Sequence, residues 1–144
     1  MNVRIDDMTL FDLNSISDIL QIDFDDFWNL HIFESELRNT NSSYIAAKIE
    51  NEIVGFAGFL RAVDDVHITN IVTKKEKRNL GIGSLLLENL IDRIKKENFK
   101  AVTLEVNENN LSAIQLYEKY HFQKVGFRKN YYKGENAIIM TLEL

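Results

Sequence analysis

A chain of 144 residues, 45% apolar and 27% charged, has the size and balance of one globular domain with a core of its own, which excludes disordered and collagen-like classes. No apolar run reaches the ~18 residues of a membrane span, no basic-then-apolar leader is evident and cysteine is absent, so a membrane span, a secretion signal, a disulfide framework and thiolate chemistry are not expected, and a cytoplasmic setting is. The net charge of −5 is unevenly spread: residues 1–40 hold nine acids against Arg4 and Arg38, whereas residues 74–100 hold eight bases against four acids. One region suits a cationic partner and the other an anionic ligand. Nucleic acid is not expected, because the basic run is short and no aromatic-interleaved basic stripe accompanies it.

In chain order, Val3-Arg4-Ile5 alternates as a short strand, and Leu13, Ile16, Ile19 and Leu20 follow helical spacing with Asp12 and Ser15 as candidate caps. Phe27-Trp28 ends a turn, and Ile32, Phe33 and Leu37 mark a second short helix. Ser43 to Ile49 and Ile53 to Leu60 read as strands joined by Glu50-Asn51-Glu52 in a hairpin, and Asp64-Asp65 turns the chain into a further strand, Val66 to Val72. Leu87, Leu90, Ile91 and Ile94 recur at i, i+3, i+4 and i+7 on a helix ending near Asn98. Ala101 to Val106 is a buried-type strand, parallel to the preceding one because a helix connects them. Leu111 to Tyr120 is the next helix, and Gln123 to Phe127 with Ala137 to Leu142 close the chain as a strand pair. The result is a mixed α/β sheet in one domain, residues 1–144.

The strand ending at Val72 enters a polar, basic loop that runs through Gly81 and Gly83 into the amphipathic helix. That is the layout of a phosphate-binding turn. Permissive glycines let backbone approach a ligand, and the first N–H groups of a helix lack internal partners and sit at its positive dipole end. Lys74, Lys75, Lys77 and Arg78 add mobile positive charge. The expected guest is the pyrophosphate of a large cofactor.

Arg78-Asn79-Leu80-Gly81-Ile82-Gly83 also matches the pattern Gln/Arg-x-x-Gly-x-Gly/Ala. In this the chain resembles the GCN5-related N-acetyltransferases (GNAT), and within them it is most similar to the RimI-type enzymes, which acetylate the N-terminal alanine of a ribosomal protein. The likeness continues through Trp28 with Phe33, Asn70-Ile71, Leu104-Glu105-Val106, Asn110, Ala113-Ile114, Leu116-Tyr117-Glu118, Asn130-Tyr131-Tyr132 and Ala137-Ile138-Ile139-Met140. It implies a mainly antiparallel central sheet with a parallel β-α-β crossover at a splayed acetyl-CoA site, and flanking helices. It implies acetyl-CoA as cosubstrate and no metal. The backbone of Ile71, Val72 and Thr73 would pair with the pantetheine arm as an added strand does. Arg78, Asn79, Leu80, Gly81, Ile82, Gly83, Ser84 and Asn110 would complete the cofactor site. By the same resemblance Glu105 is the general base, Tyr117 the general acid, and Trp28, Tyr131 and Tyr132 bind the acceptor.

The residues can be weighed beside the resemblance. An α-amine with a pKa of about 7.7–8.0 is roughly ten per cent neutral at pH 7, whereas lysine near 10.4 is far less so, and a modest base suffices for an N-terminal acceptor. Glu105 alternates away from Val102, Leu104 and Val106, toward the side where the sheet could open onto substrate. Read alone, it is more often a solvated or ion-paired strand glutamate, and Tyr117 is equally an ordinary core aromatic. A phenol near pKa 10 protonates a thiolate of about 8.5 only with help from its surroundings.

Three positions depart from the family pattern: Lys74-Lys75 stands where a proline is common, His121 replaces the glycine of Tyr-x-x-x-Gly-Phe, and Asn136 replaces an aspartate. Histidine tolerates the left-handed conformation, so His121 is expected to cap a helix. No third glycine completes a dinucleotide fingerprint, no P-loop or nucleophile elbow is present, and His31, His67 and His121 lack metal-ligand spacing. Two other functions remain open: acetylation of a small amine such as a polyamine, amino acid or drug, and a CoA-binding module without turnover.

Overall fold

The computed structural model describes residues 2–24, 30–132 and 134–144, with Asn130 and Tyr132 described for their backbone alone. Trp28, the Phe27-Trp28 turn and the Tyr132 side chain therefore lie outside the described residues. In order the elements are β1 (Arg4–Asp7), α1 (Leu10–Ile16), a π-helical turn (Leu20–Phe24), α2 (Leu30–Arg38), β2 (Ser42–Ile49), β3 (Glu52–Ala62), β4 (Asp65–Thr73), a 3-10 turn (Lys75–Lys77), α3 (Ile82–Lys96), β5 (Ala101–Asn107), α4 (Leu111–Lys119), β6 (Gln123–Tyr132) and β7 (Glu135–Glu143). They build one seven-stranded sheet in the order β1-β2-β3-β4-β5-β7-β6. Every neighbouring pair is antiparallel except β4 with β5, the pair that the α3 crossover joins. Among the described residues no helix is long and apolar enough to cross a membrane.

Each face of the sheet carries its own core. Ile82, Leu86, Leu87, Leu90, Ile91 and Ile94 of α3 share one with Ile114 and Tyr117 of α4 and with Ile68, Val102 and Leu104 of the sheet. Leu13, Ile16, Leu20, Phe24 and Phe33 fill the other against Tyr44, Phe56 and Val72. Burying each large apolar side chain is worth about 1.5–3 kcal/mol, against about 1 kcal/mol that Gly83 costs inside the first turn of α3. Packing therefore holds α3 with a glycine near its start.

Two local readings of the sequence are corrected. The cap of α1 is Thr9, whose Oγ1 accepts from Asp12 N at 3.1 Å while Asp12 Oδ2 accepts from Thr9 N at 2.9 Å. Asp12 is thus the third-position half of a capping box rather than the cap, and Ser15 bonds back to the Asp12 carbonyl instead. The helical spacing through Leu20 is also broken: α1 stops at Ile16, where the Ser17 hydroxyl takes the Asn14 carbonyl, and the π-helical turn resumes with Leu20 and Phe24 buried.

The sheet opens in its middle. β4 and β5 pair from Asp65↔Ala101 to Ile68↔Leu104 and then part, while β4 stays bonded to β3 as far as Thr73. A bulge lies at the parting: Gly58 faces Asn70 and Phe59 faces Ile68, leaving Thr69 as the extra residue. A Cβ at Gly58 would stand 2.4 Å from the Tyr44 ring, so only glycine lets that ring lie across β3 here.

Candidate active site

Beyond Ile68 the strand edge of β4 faces a cleft of about 390 Å³ between the start of α3 and α4. Ile71, Val72 and Thr73 form its floor, and paired on one side only, they keep an edge that an extended group can join. Arg78, Asn79, Gly81, Ile82, Gly83 and Ser84 form one wall. The loop takes left-handed conformations at Asn79 (φ 64) and Gly81 (φ 83), the second of which starts α3. The first intrahelical bond is Leu85 N to Gly81 O at 3.1 Å, so the N–H groups of Ile82, Gly83 and Ser84 have no acceptor within the helix. Asn110, Ala113, Leu116 and Tyr117 form the opposite wall.

The expected cofactor residues thus come together, with two adjustments. Leu80 is half exposed and lines a separate depression with Asn2, Val3 and Leu85, because the alternating left-handed turns aim its side chain away from the cleft. Lys74 is not mobile. Its Nζ is held by Glu52 at 2.6 Å and Glu76 at 3.2 Å, its side chain is largely buried, and its N–H bonds the Val54 carbonyl. Lys77 and Arg78 are the basic residues that reach the cleft, Arg78 anchored through Nη2 to the Phe24 carbonyl at 3.2 Å. The ion pairs of Lys74 fasten the turn to β3 where the family pattern has a proline.

Tyr117 is fixed by the end of its helix. Phe122 N bonds Tyr117 O at 3.1 Å and His121 N bonds Glu118 O at 3.0 Å, around His121 at φ 74. This is a Schellman cap, and its hydrophobic contact is the Tyr117–Phe122 ring pair at 5.8 Å. His121 caps the helix as its tolerance of the left-handed region implied. At the other end, Asn110 caps α4 by accepting from Ala113 N at 3.3 Å, so it serves the helix and the cleft together.

Glu105 lies on the opposite face of the sheet, just past the last β4–β5 pair, with its side chain 12% exposed. Oε1 is 3.3 Å from Arg128 Nε, and Oε2 is buried without a hydrogen-bond partner. The Arg128 guanidinium in turn lies 5.7 Å from the centre of the Tyr131 ring. Burial, the Glu105 charge and a side-chain interaction with Glu105 hold the Tyr131 phenol protonated, and burial lowers the pKa of His67 against the pull of Glu105. Tyr131 is thus beside Glu105, whereas Tyr117 belongs to the α3 and α4 side. The gap between β4 and β5 joins the two. A second depression, of about 450 Å³ near Tyr44 and α3, has each of its arginines already paired, Arg61 with Glu97 and Arg93 with Asp7.

The Acetyltransferase (GNAT) family pattern matches residues 13–122. The chain belongs to the GNAT acetyltransferase family. It is 34% identical over 147 aligned positions to a ribosomal protein bS18-alanine N-acetyltransferase of Haemophilus influenzae, covering 90% of this chain and all of that one. An N-alpha-acetyltransferase of Sulfolobus acidocaldarius is 30% identical, with 100% and 94% covered. The crystal structure of the ribosomal-protein-S18-alanine N-acetyltransferase of Escherichia coli superposes with a TM-score of 0.91 at 29% identity, over 99% of this chain and 94% of that one.

This acetyltransferase uses acetyl-CoA, and the cleft suits it. A Cβ at Gly83 would stand 3.6 Å from Leu116 Cδ2 and 3.9 Å from Thr73 Oγ1, between the walls, so glycine keeps that passage clear. Free helix-start N–H groups with Lys77 and Arg78 fit an anion, and the open edge of β4 fits an amide-bearing arm. Among the described residues no cluster of three His, Cys, Asp or Glu could hold a metal. Arg128 and His67 carry no local sequence signal for a role at this site, and Asn70 shows only as part of a motif.

Proposed function

We propose that this GNAT enzyme acetylates the N-terminal α-amino group of a protein, with an alanine-starting ribosomal protein as the leading acceptor. The observation that carries the chemistry is the buried, unpartnered Oε2 of Glu105 at the sheet gap, with Tyr117 across it. The acceptor class is supported by two relatives, named a ribosomal protein bS18-alanine N-acetyltransferase and an N-alpha-acetyltransferase, each similar along nearly its whole length. A ribosomal-protein acceptor implies a cytoplasmic setting, and the single sheet running from β1 to β7 supports one domain over residues 1–144.

Acetyl-CoA, when bound, supplies the acetyl group in an activated thioester. Ile71, Val72 and Thr73 align it along β4, and the amides of Ile82, Gly83 and Ser84 with Lys77 and Arg78 hold its phosphates. The acceptor nitrogen forms a bond to the acetyl carbon as the carbon–sulfur bond breaks. Glu105 takes the proton that nitrogen gives up, directly or through one water, and Tyr117 gives its phenolic proton to the departing sulfur and regains one from solvent. Base and acid on opposite faces suit direct transfer, with the nitrogen arriving on one side and sulfur leaving on the other. Tyr131, beside Arg128 and Glu105, lines the approach of the acceptor in this reading.

The test is to incubate the protein with acetyl-CoA and, separately, an Ala-starting peptide, an N-blocked lysine peptide and spermidine, then weigh the products. Acetylation of the first alone is expected. Acetylation of spermidine alone overturns the N-terminal reading, and tight CoA binding without product from any amine points to a binding module.

A further inference from the structure

Among the described residues, the buried side-chain polar atoms without a hydrogen-bond partner are Asn70 Oδ1, Asn70 Nδ2 and Glu105 Oε2. Burying such groups unbonded is unfavourable, and folded proteins leave few of them without a reason. Here they share one location. Asn70 follows the Thr69 bulge, two residues past Ile68, and Glu105 is the first residue of β5 past Leu104, the partner of Ile68. Both are on the α1 and α2 side. Asn70 is in register with Gly58 and Gly58 with Tyr44, which belongs to that core, while Glu105 alternates against Leu104 and Val106 of the other.

The Tyr44 hydroxyl lies near enough to interact with the Asn70 side chain, but its hydrogen bond is with Thr69 Oγ1 at 3.0 Å, and neither Asn70 Oδ1 nor Nδ2 reaches hydrogen-bond geometry with a protein group. Burial pushes the Tyr44 phenol up to about 12, so it stays neutral. Asn70 therefore presents a donor and an acceptor in one plane, the pattern that complements a peptide unit. Paired strands lie about 4.8 Å apart, and β4 and β5 widen from there. An amine at Glu105 thus brings the group two bonds away from its nitrogen toward Asn70.

We propose that Asn70 is a specificity-determining residue that hydrogen-bonds the first peptide unit of the acceptor, so that the enzyme selects a peptidyl α-amine over an amine with no adjoining amide. This rests on the reading of the acceptor as a protein N-terminus. An acceptor without that amide leaves the buried Asn70 groups unbonded, the kind of mismatch from which sites draw discrimination.

The experiment compares wild type with Asn70→Leu, which keeps bulk and removes the polar atoms. The acceptors are an Ala-starting peptide, its analogue with the first amide replaced by an ester, and spermidine. Wild type is expected to prefer amide over ester by about tenfold in kcat/KM, the worth of one hydrogen bond to a buried group. Asn70→Leu should bring that ratio close to one, with the KM for acetyl-CoA unchanged. Damage to the scaffold would lower both acceptors and leave the ratio alone. No amide preference in wild type, or a preference that survives in Asn70→Leu, overturns the role of Asn70. Wild type that acetylates spermidine but neither peptide overturns the N-terminal reading itself. Should Asn70→Leu not fold, Asn70→Ala takes its place, with the same ratio as the readout.

Discussion

The cofactor cleft and the proposed acceptor side meet at one gap in the sheet but are made of different material. The cleft is made largely of main chain: helix-start N–H groups, a left-handed glycine and the free edge of β4, nearly all within residues 71–84. The acceptor side is made of side chains gathered from β4, β5 and β6, namely His67, Asn70, Glu105, Arg128 and Tyr131. A main-chain site is tuned by omitting side chains, as at Gly83. A side-chain site is tuned by burial and by which charges face one another.

The largest effect expected on this contrast is at Glu105. Glu105→Gln should lower kcat by about 10²–10⁴-fold, with acetyl-CoA affinity by calorimetry unchanged; wild-type turnover across about pH 6–9 would remove Glu105 from the mechanism. Gly83→Val should do the reverse. Its side chain enters the cleft between Leu116 and Thr73, in space the cofactor needs, and acetyl-CoA affinity should fall by roughly tenfold or more, about 1.4 kcal/mol. Far-ultraviolet circular dichroism should show an intact fold, and undiminished affinity would mean the cleft is not the cofactor site.

The smallest effect distinguishes the two sides by pH. Burial lowers the folded-state pKa of His67 more than Glu105 raises it, so the folded protein favours neutral histidine. As pH falls through the ordinary value of about 6.5, the unfolded chain binds a proton that the folded chain does not. Stability from this group is present above that value and is lost as pH falls toward the lowered folded value. Melting temperature between about pH 7 and 5 should therefore decline less steeply in His67→Gln than in wild type, and equal slopes would show that His67 does not report on this site.

Most of the strand order and the glycine turn of the cleft were legible because their signals are local. Periodicity marked α3 and the strands, Glu50 and Asn51 marked a hairpin whose turn has φ 50 and 70, and the glycines marked the loop. What misled was also local. Four basic residues before Gly81 look alike in sequence, yet Lys74 is removed from the ligand by Glu52, a residue of β3. Helical spacing through Leu20 could not register two serine hydroxyls that divert helix carbonyls.

By itself, then, the sequence determined that an anion-binding turn opens a helix after a strand, and that a glutamate and a tyrosine follow on the next strand and helix. These are consequences of neighbouring residues and their backbone preferences. Only the tertiary structure decided that β4 and β5 part after Ile68 and Leu104, placing Glu105 and Tyr117 on opposite faces and bringing Arg128 from the last hairpin to Glu105. The physical reason is that burial and charge pairing depend on what lies across the sheet, and residues that meet there are as far apart in the chain as Asn70 and Glu105.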